Sequence, residues 1–135
     1  MNILVIDGMG GGLGKSVVES LRERLDDAHI IAVGTNSLAT SAMLKAGAHV
    51  GATGENAVIY NSTQADIIIG AIGILLANAM HGEISPQMAL SVGESAAHKI
   101  VIPIGKCSVS VPGVQQKSLG GYLEDMLEIL HNSTV

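Results

Sequence analysis

The stretch Asn2-Ile3-Leu4-Val5-Ile6-Asp7-Gly8-Met9-Gly10-Gly11-Gly12-Leu13-Gly14-Lys15-Ser16 decides how the rest of the chain is read. Asn2 to Asp7 is a short, β-branched apolar run halted by glycines, the pattern of a buried strand. Beyond the glycines the period changes. Leu13, Val17, Val18, Leu21 and Leu25 recur at helical spacing, leaving Arg22, Glu23 and Arg24 for solvent, so a helix follows the turn directly. Glycine in such a turn permits positive φ and lets backbone amides approach an anion that also feels the positive end of the helix. Gly8, Gly10, Gly11, Gly12, Leu13 and Gly14 are therefore candidate binding positions for a phosphate-bearing ligand. The alternative is a turn without a ligand, which must bear the entropy that so many glycines lose on folding.

Outward from this unit the same alternation repeats. His29 to Val33 reads as a second strand, and Leu38, Ala39, Ala42, Met43 and Ala46 as a helix ended by Gly47. A weak strand near His49 to Ala52 precedes a helix around Glu55 to Asn61 and the buried run Asp66 to Gly70. Ser85 and Pro86 form an N-cap and first-turn pair for a helix carrying Met88, Ala89, Val92 and Ala96. Lys99 to Ile104 is the fifth strand, Cys107 to Val111 alternates like a short edge strand, and Leu119, Tyr122, Leu123, Met126, Leu127 and Leu130 mark an amphipathic last helix. This order predicts one α/β domain over residues 1–135. Its form is a Rossmann-like, doubly wound, mainly parallel sheet of five or six strands, with helices on both faces and the ligand site at the carboxyl ends of the strands.

The spacing Gly8, Gly12, Gly14 resembles the G-x-x-x-G-x-G pattern of short-chain dehydrogenase-like dinucleotide folds. Asp66-Ile67-Ile68-Ile69-Gly70-Ala71-Ile72-Gly73 is similar to the segment that lies beneath the nicotinamide in that family. The resemblance implies NAD(P) or another nucleotide as cofactor, with Gly70 and Gly73 near it. The catalytic Tyr-x-x-x-Lys of those enzymes is missing, because Gln64 and Met126 stand four places after Tyr60 and Tyr122. A rival reading is a P-loop-like nucleotide hydrolase, in which Lys15 and Ser16 would hold phosphates and Mg²⁺. However, Met9 stands where the first glycine of that motif belongs. The loop also resembles the variant loop of ParA-like ATPases, but Gly10 replaces their signature lysine and Gly70 ends the strand where they carry a metal-organising aspartate. Over most of the chain, the combination of this loop with AVGTNSLAT, ATGENA, ADIIIGAIG and HGEISP resembles a family of small bacterial proteins catalogued as a domain of unknown function. That resemblance implies the fold and a cytoplasmic setting, and no catalytic residues.

Other polar groups would share the same rim. Thr35, Asn36 and Ser37 follow the second strand, where dinucleotide folds place an acid for the ribose hydroxyls or an arginine for a 2′-phosphate, and neither is present. These three can bind ligand or cap the next helix. Thr53, Glu55 and Asn56 after the third strand carry the same pair of readings. His81 and Glu83, in His81-Gly82-Glu83, are acid–base candidates or solvated loop residues. Cys107 is a candidate ligand contact or a small packing residue. The five histidines show no ligand spacing, and no metal site is expected.

Composition narrows the classes further. A net charge of −5 with only seven Lys plus Arg, two tyrosines and no Phe or Trp argues against nucleic acid, which needs clustered cations and stacking rings. The longest apolar run, Ile67 to Ala77, is broken by glycines and too short for a bilayer, and the first residues do not read as a secretion signal. A lone cysteine fits a reducing cytoplasm. With 47% hydrophobic and 14% charged residues, a monomer has little charge to cover its surface, so a homo-oligomer is expected. Catalysis stays open at this point, as does a non-enzymatic sensor or partner-binding module.

Overall fold

A computed structural model describes residues 1–105 and 108–133. The elements follow the alternation of the sequence: β1 (Asn2–Asp7), α1 (Gly12–Arg24), β2 (His29–Gly34), α2 (Ser37–Ala46), β3 (Val50–Thr53), α3 (Glu55–Ser62), β4 (Ile67–Ala71), a 3-10 turn (Ile72–Leu75), α4 (Pro86–Glu94), β5 (His98–Ile102) and α5 (Leu119–Ser133). All strands pair in parallel, in the order β3-β2-β1-β4-β5. This is a Rossmann-like α/β sheet of five strands. The expected sixth strand does not form over residues 108–111, which are exposed and irregular, and Cys107 lies outside the described residues.

Alternation along the strands divides the core in two. Ile3 and Val5 of β1 face Val17, Val18 and Leu21 of α1, Met43 of α2, and Tyr122, Met126 and Leu130 of α5. Leu4 and Ile6 face the opposite way, onto Val58 of α3, Ile74, and Met88, Ala89 and Val92 of α4. A sheet covered on both sides needs apolar residues at every strand position, which explains why the strands read as continuous runs. Each fully buried Val or Leu here contributes about 1.5–3 kcal/mol through removal from water.

Caps set the helix limits. Asn36 caps α2 by accepting the Ala39 amide at 2.9 Å, and Gly47, at φ 118°, ends that helix. Ser85 caps α4 through the Met88 amide at 3.2 Å. Two sequence expectations shift. Ala96 lies beyond the end of α4 and is exposed, because the chain turns at Ser95, whose hydroxyl donates to the Ser62 carbonyl at 2.6 Å. Leu38 sits 65% exposed at the start of α2, where Ala39, Thr40 and Met43 form the buried stripe.

Helix α1 meets the sheet closely at Gly14. A methyl group there would stand 2.6 Å from Met43 Sδ and 2.7 Å from Asp7 Cβ, so only glycine lets α1 descend onto β1. A methyl at Gly12 would meet nothing within 4 Å. Gly14→Ala should therefore lower stability by about 1–3 kcal/mol, the usual cost of overpacking a core. Gly12→Ala should leave stability unchanged or slightly raised. Urea unfolding midpoints at constant slope measure the contrast, and equal midpoints for the two variants would contradict this packing.

Candidate functional site

The strand order reverses between β1 and β4, so the loops leaving those two strands diverge and open a crevice at their carboxyl ends. A cleft of about 870 Å³ lies there. Its floor is the chain from Asp7 to Leu13 with Ala71 and Gly73. One wall is Asn78 to His81, and the far side is Ile104, Gly105 and Leu119. The volume suits a small ligand with a few polar groups in a largely apolar setting.

The glycines of the loop divide by cause. Gly8 is packed by the protein itself: a Cβ would meet Thr35 Oγ1 at 2.7 Å, Met80 Sδ at 2.9 Å and Glu83 Oε1 at 3.0 Å. Gly11 is left-handed at φ 80° and rests on the backbone of Ala39 in α2. Gly14 is held against Asp7. Gly10 and Gly12, by contrast, face open space, and neither has positive φ. No side chain caps α1 at Gly11. The Gly14 amide donates to Asp7 Oδ2 at 2.6 Å and the Lys15 amide to the Gly11 carbonyl at 3.0 Å, while those of Gly12 and Leu13 have no protein acceptor among the described residues. Free donors at the positive end of a 13-residue helix, beside two side-chain-free positions, form a ready anion seat.

Glu83 organises the other edge of the cleft. Its Oε1 accepts the Met9 amide at 2.9 Å, the Thr35 hydroxyl at 2.5 Å and Asn36 Nδ2 at 3.0 Å. One carboxylate oxygen thus ties the glycine loop to the end of β2. The Thr35 hydroxyl first, then the Met9 amide, hold the Glu83 carboxyl below the usual glutamate range. The strap that carries it, residues 76–83, is turned through left-handed Asn78 (φ 67°), Met80 (φ 59°), His81 (φ 56°) and Gly82 (φ 89°). Non-glycine residues in that region cost on the order of 1 kcal/mol each and persist only where the surroundings impose them. Here Ile84, 1% exposed, anchors the strap in the core.

The remaining sequence candidates separate. Gly8, Gly10, Gly11, Gly12, Leu13 and Gly73 line the cleft. Gly70 lies beneath it, where a Cβ would strike the Ile6 carbonyl at 2.8 Å. Thr35 and Asn36 stand at its edge, bound to Glu83, and Ser37 is exposed on α2. Lys15 and Ser16 lie on α1 outside the lining, with Lys15 exposed. Thr53 bonds Thr40 at 2.7 Å and Glu55 takes the Ser85 hydroxyl at 2.5 Å, so both serve the rim of β3 and α3, where Asn56 is exposed. Sequence reasoning missed Asp7, Met9, Asn78, Ala79, Met80, Ile104, Gly105 and Leu119 as lining residues. Asp7, as the last residue of an apolar strand before the glycines, was the one with a legible signal. Among the described residues no group of three or more His, Cys, Asp or Glu side chains could hold a metal ion. Among the described residues no helix is long and apolar enough to cross a membrane.

Residues 2–135 match the family described as a domain of unknown function, DUF3842. No curated protein matches the sequence. Among solved structures, the chain is similar to the dodecameric FMN-dependent UbiX-like decarboxylase from Escherichia coli O157:H7. That likeness has 17% identity and a TM-score of 0.46, and covers 96% of this chain and 75% of that one.

Asp7 supplies a pH test of the floor. Burial, 5% exposed, pushes its carboxyl above the ordinary aspartate range and the Glu83 charge adds to the push, while the Gly14 and Gly8 amides pull it back. The folded protein then binds more protons than the unfolded chain between the two pKa values, so this group makes the fold gain stability as pH falls through its folded pKa. The melting temperature of wild type minus that of Asp7→Asn should shift toward wild type as pH is lowered from neutrality toward the ordinary aspartate pKa. A pH-independent difference would show that Asp7 is not held above its ordinary range.

Proposed function

The chain belongs to the DUF3842 family, and we propose that it is a nucleotide-binding protein whose ligand lies in the cleft between β1 and β4 with a phosphate over Gly10 to Leu13. The observation that carries this reading is the pair Gly10 and Gly12. Packing accounts for Gly8, Gly11 and Gly14, but none of the described residues fills the space above the other two, next to amides of α1 without an acceptor among those residues. A phosphate there accepts the Gly12 and Leu13 amides and gains from the helix dipole. A base packs on the aliphatic lining of the cleft, in a chain with no Phe or Trp. NAD(P) is the dinucleotide form of this ligand, its second half running toward Gly73 and Gly105.

The hydrolase reading gains no support from the cleft. Lys15 is exposed and outside its lining, and β4 ends in Gly70-Ala71 with no carboxylate. The exposed Tyr60 and Leu90, 62% and 57% accessible on α3 and α4, favour assembly of identical copies as the state in which the ligand is bound. Native mass spectrometry of freshly purified protein reads both retained ligand and subunit count.

Calorimetry with AMP, NAD⁺, NADP⁺ and FMN tests the binding site itself. Gly12→Val should weaken the tightest of these by roughly hundredfold or more while leaving circular dichroism unchanged, because the side chain fills the anion seat and not the core. Unchanged affinity would remove the loop from the site. Lys15→Ala should cost less than about threefold, since an exposed, screened charge adds little to a backbone-built site. A loss beyond about thirtyfold would favour the P-loop geometry.

A further inference from the structure

Dinucleotide folds read the ribose with an acid at the end of β2, and the residues there, Thr35, Asn36 and Ser37, include none. The structure brings a carboxylate to that place from a different element. Glu83, in the connection between β4 and α4, ends beside Thr35 and Asn36, with its Oε1 3.0 Å from the position a Gly8 Cβ would take. Gly8, Met80 and His81, which flank it, all line the cleft.

The carboxylate is used asymmetrically. Oε1 takes the Met9 amide, the Thr35 hydroxyl and Asn36 Nδ2, and Oε2 takes no donor among the described residues. Asn36 is itself fixed, because its Oδ1 accepts the Ala39 amide at the start of α2 and its Nδ2 also reaches the Met9 carbonyl at 2.9 Å. Three donors on one oxygen lock the side chain's orientation and leave a charged acceptor, half-buried, with unused capacity. Such an oxygen accepts a hydroxyl well. It repels a phosphate at the same place, since two like charges a few ångströms apart oppose one another.

We propose that Glu83 is the ribose reader of this site: its Oε2 accepts a ribose hydroxyl, so the cleft takes nucleotides with a free 2′-hydroxyl and rejects their 2′-phosphorylated counterparts. This rests on the nucleotide reading above and adds a substrate class to it. It also ties ligand recognition to the strap, since the same side chain that closes residues 76–83 onto the glycine loop contacts the sugar.

The test compares three ligands that differ at one carbon. The tightest of the four ribonucleoside 5′-monophosphates is measured by calorimetry against its 2′-deoxy form and its 2′-phosphate. Wild type should bind the parent about tenfold or more tightly than the 2′-phosphate and several-fold more tightly than the deoxy form. Glu83→Gln keeps an oxygen for Met9, Thr35 and Asn36 but puts an amide donor in place of Oε2. This variant should lose the preference over the deoxy form and bind the 2′-phosphate more tightly than wild type does, while its circular dichroism shows it folded. Equal affinities of wild type for all three ligands overturn the inference and leave the nucleotide reading standing. So does a Glu83→Gln variant that weakens all three alike, because a merely structural carboxylate would act in that way. If none of the four monophosphates, NAD⁺, NADP⁺ or FMN binds wild type, both readings fall together; if only NADP⁺ or FMN binds, the ribose inference falls and the nucleotide reading stands.

Discussion

The contact between the Gly14 amide and Asp7 Oδ2, at 2.6 Å in the buried floor of the cleft, is the constraint on which the site is built. It sets how close α1 can come to β1, because any side chain at Gly14 would collide with Asp7 and Met43. It also satisfies one of the first helix amides from within the protein, while those of Gly12 and Leu13 have no protein acceptor among the described residues. Burial pushes the Asp7 carboxyl above its ordinary range, so helix docking and proton affinity are linked through one side chain.

The second organising group is Glu83. The loop after β1 and the loop after β2 have no covalent reason to keep a fixed relation, since each is a short connection between elements packed on the sheet. One carboxylate oxygen joins them, and the strap that carries it accepts left-handed backbone at Asn78, Met80 and His81 to do so. Local strain of this kind is sustained by the burial of Ile84 and by the strap's own hydrogen bonds, such as the Asn78 amide to the Ile84 carbonyl at 2.7 Å. The cleft therefore has one wall made by strained backbone and one made by a helix terminus, both held by buried groups.

Much of the fold was legible in the sequence because periodicity carries it. The β-branched runs of β1 and β4 and the helical spacing of Leu13, Val17, Val18 and Leu21 each report burial that any packing of these elements must honour. Caps were legible for the same local reason: Ser85 with Pro86 and Gly47 act within one turn of themselves. The choice between five strands and six was not legible because alternation over five residues says nothing about whether a neighbouring edge takes it up, and Ala96 was misplaced because Ser95 turns the chain toward Ser62, a contact 33 residues away.

The site divides along the same line. By itself the sequence determined that a strand, a glycine turn and a helix stand in series, since glycine's missing side chain and the change of period are properties of adjacent residues. Which glycines serve packing and which face open space was decided only by the tertiary structure, because the partners that crowd Gly8, Gly11 and Gly14 come from α2, the strap and Asp7. The same holds for Glu83. In the sequence it is an acid in a loop, and only the crossing of the β4 connection over the ends of β1 and β2 brings its carboxylate to Thr35, 48 residues away, since hydrogen bonds of that range depend on topology that no local pattern encodes.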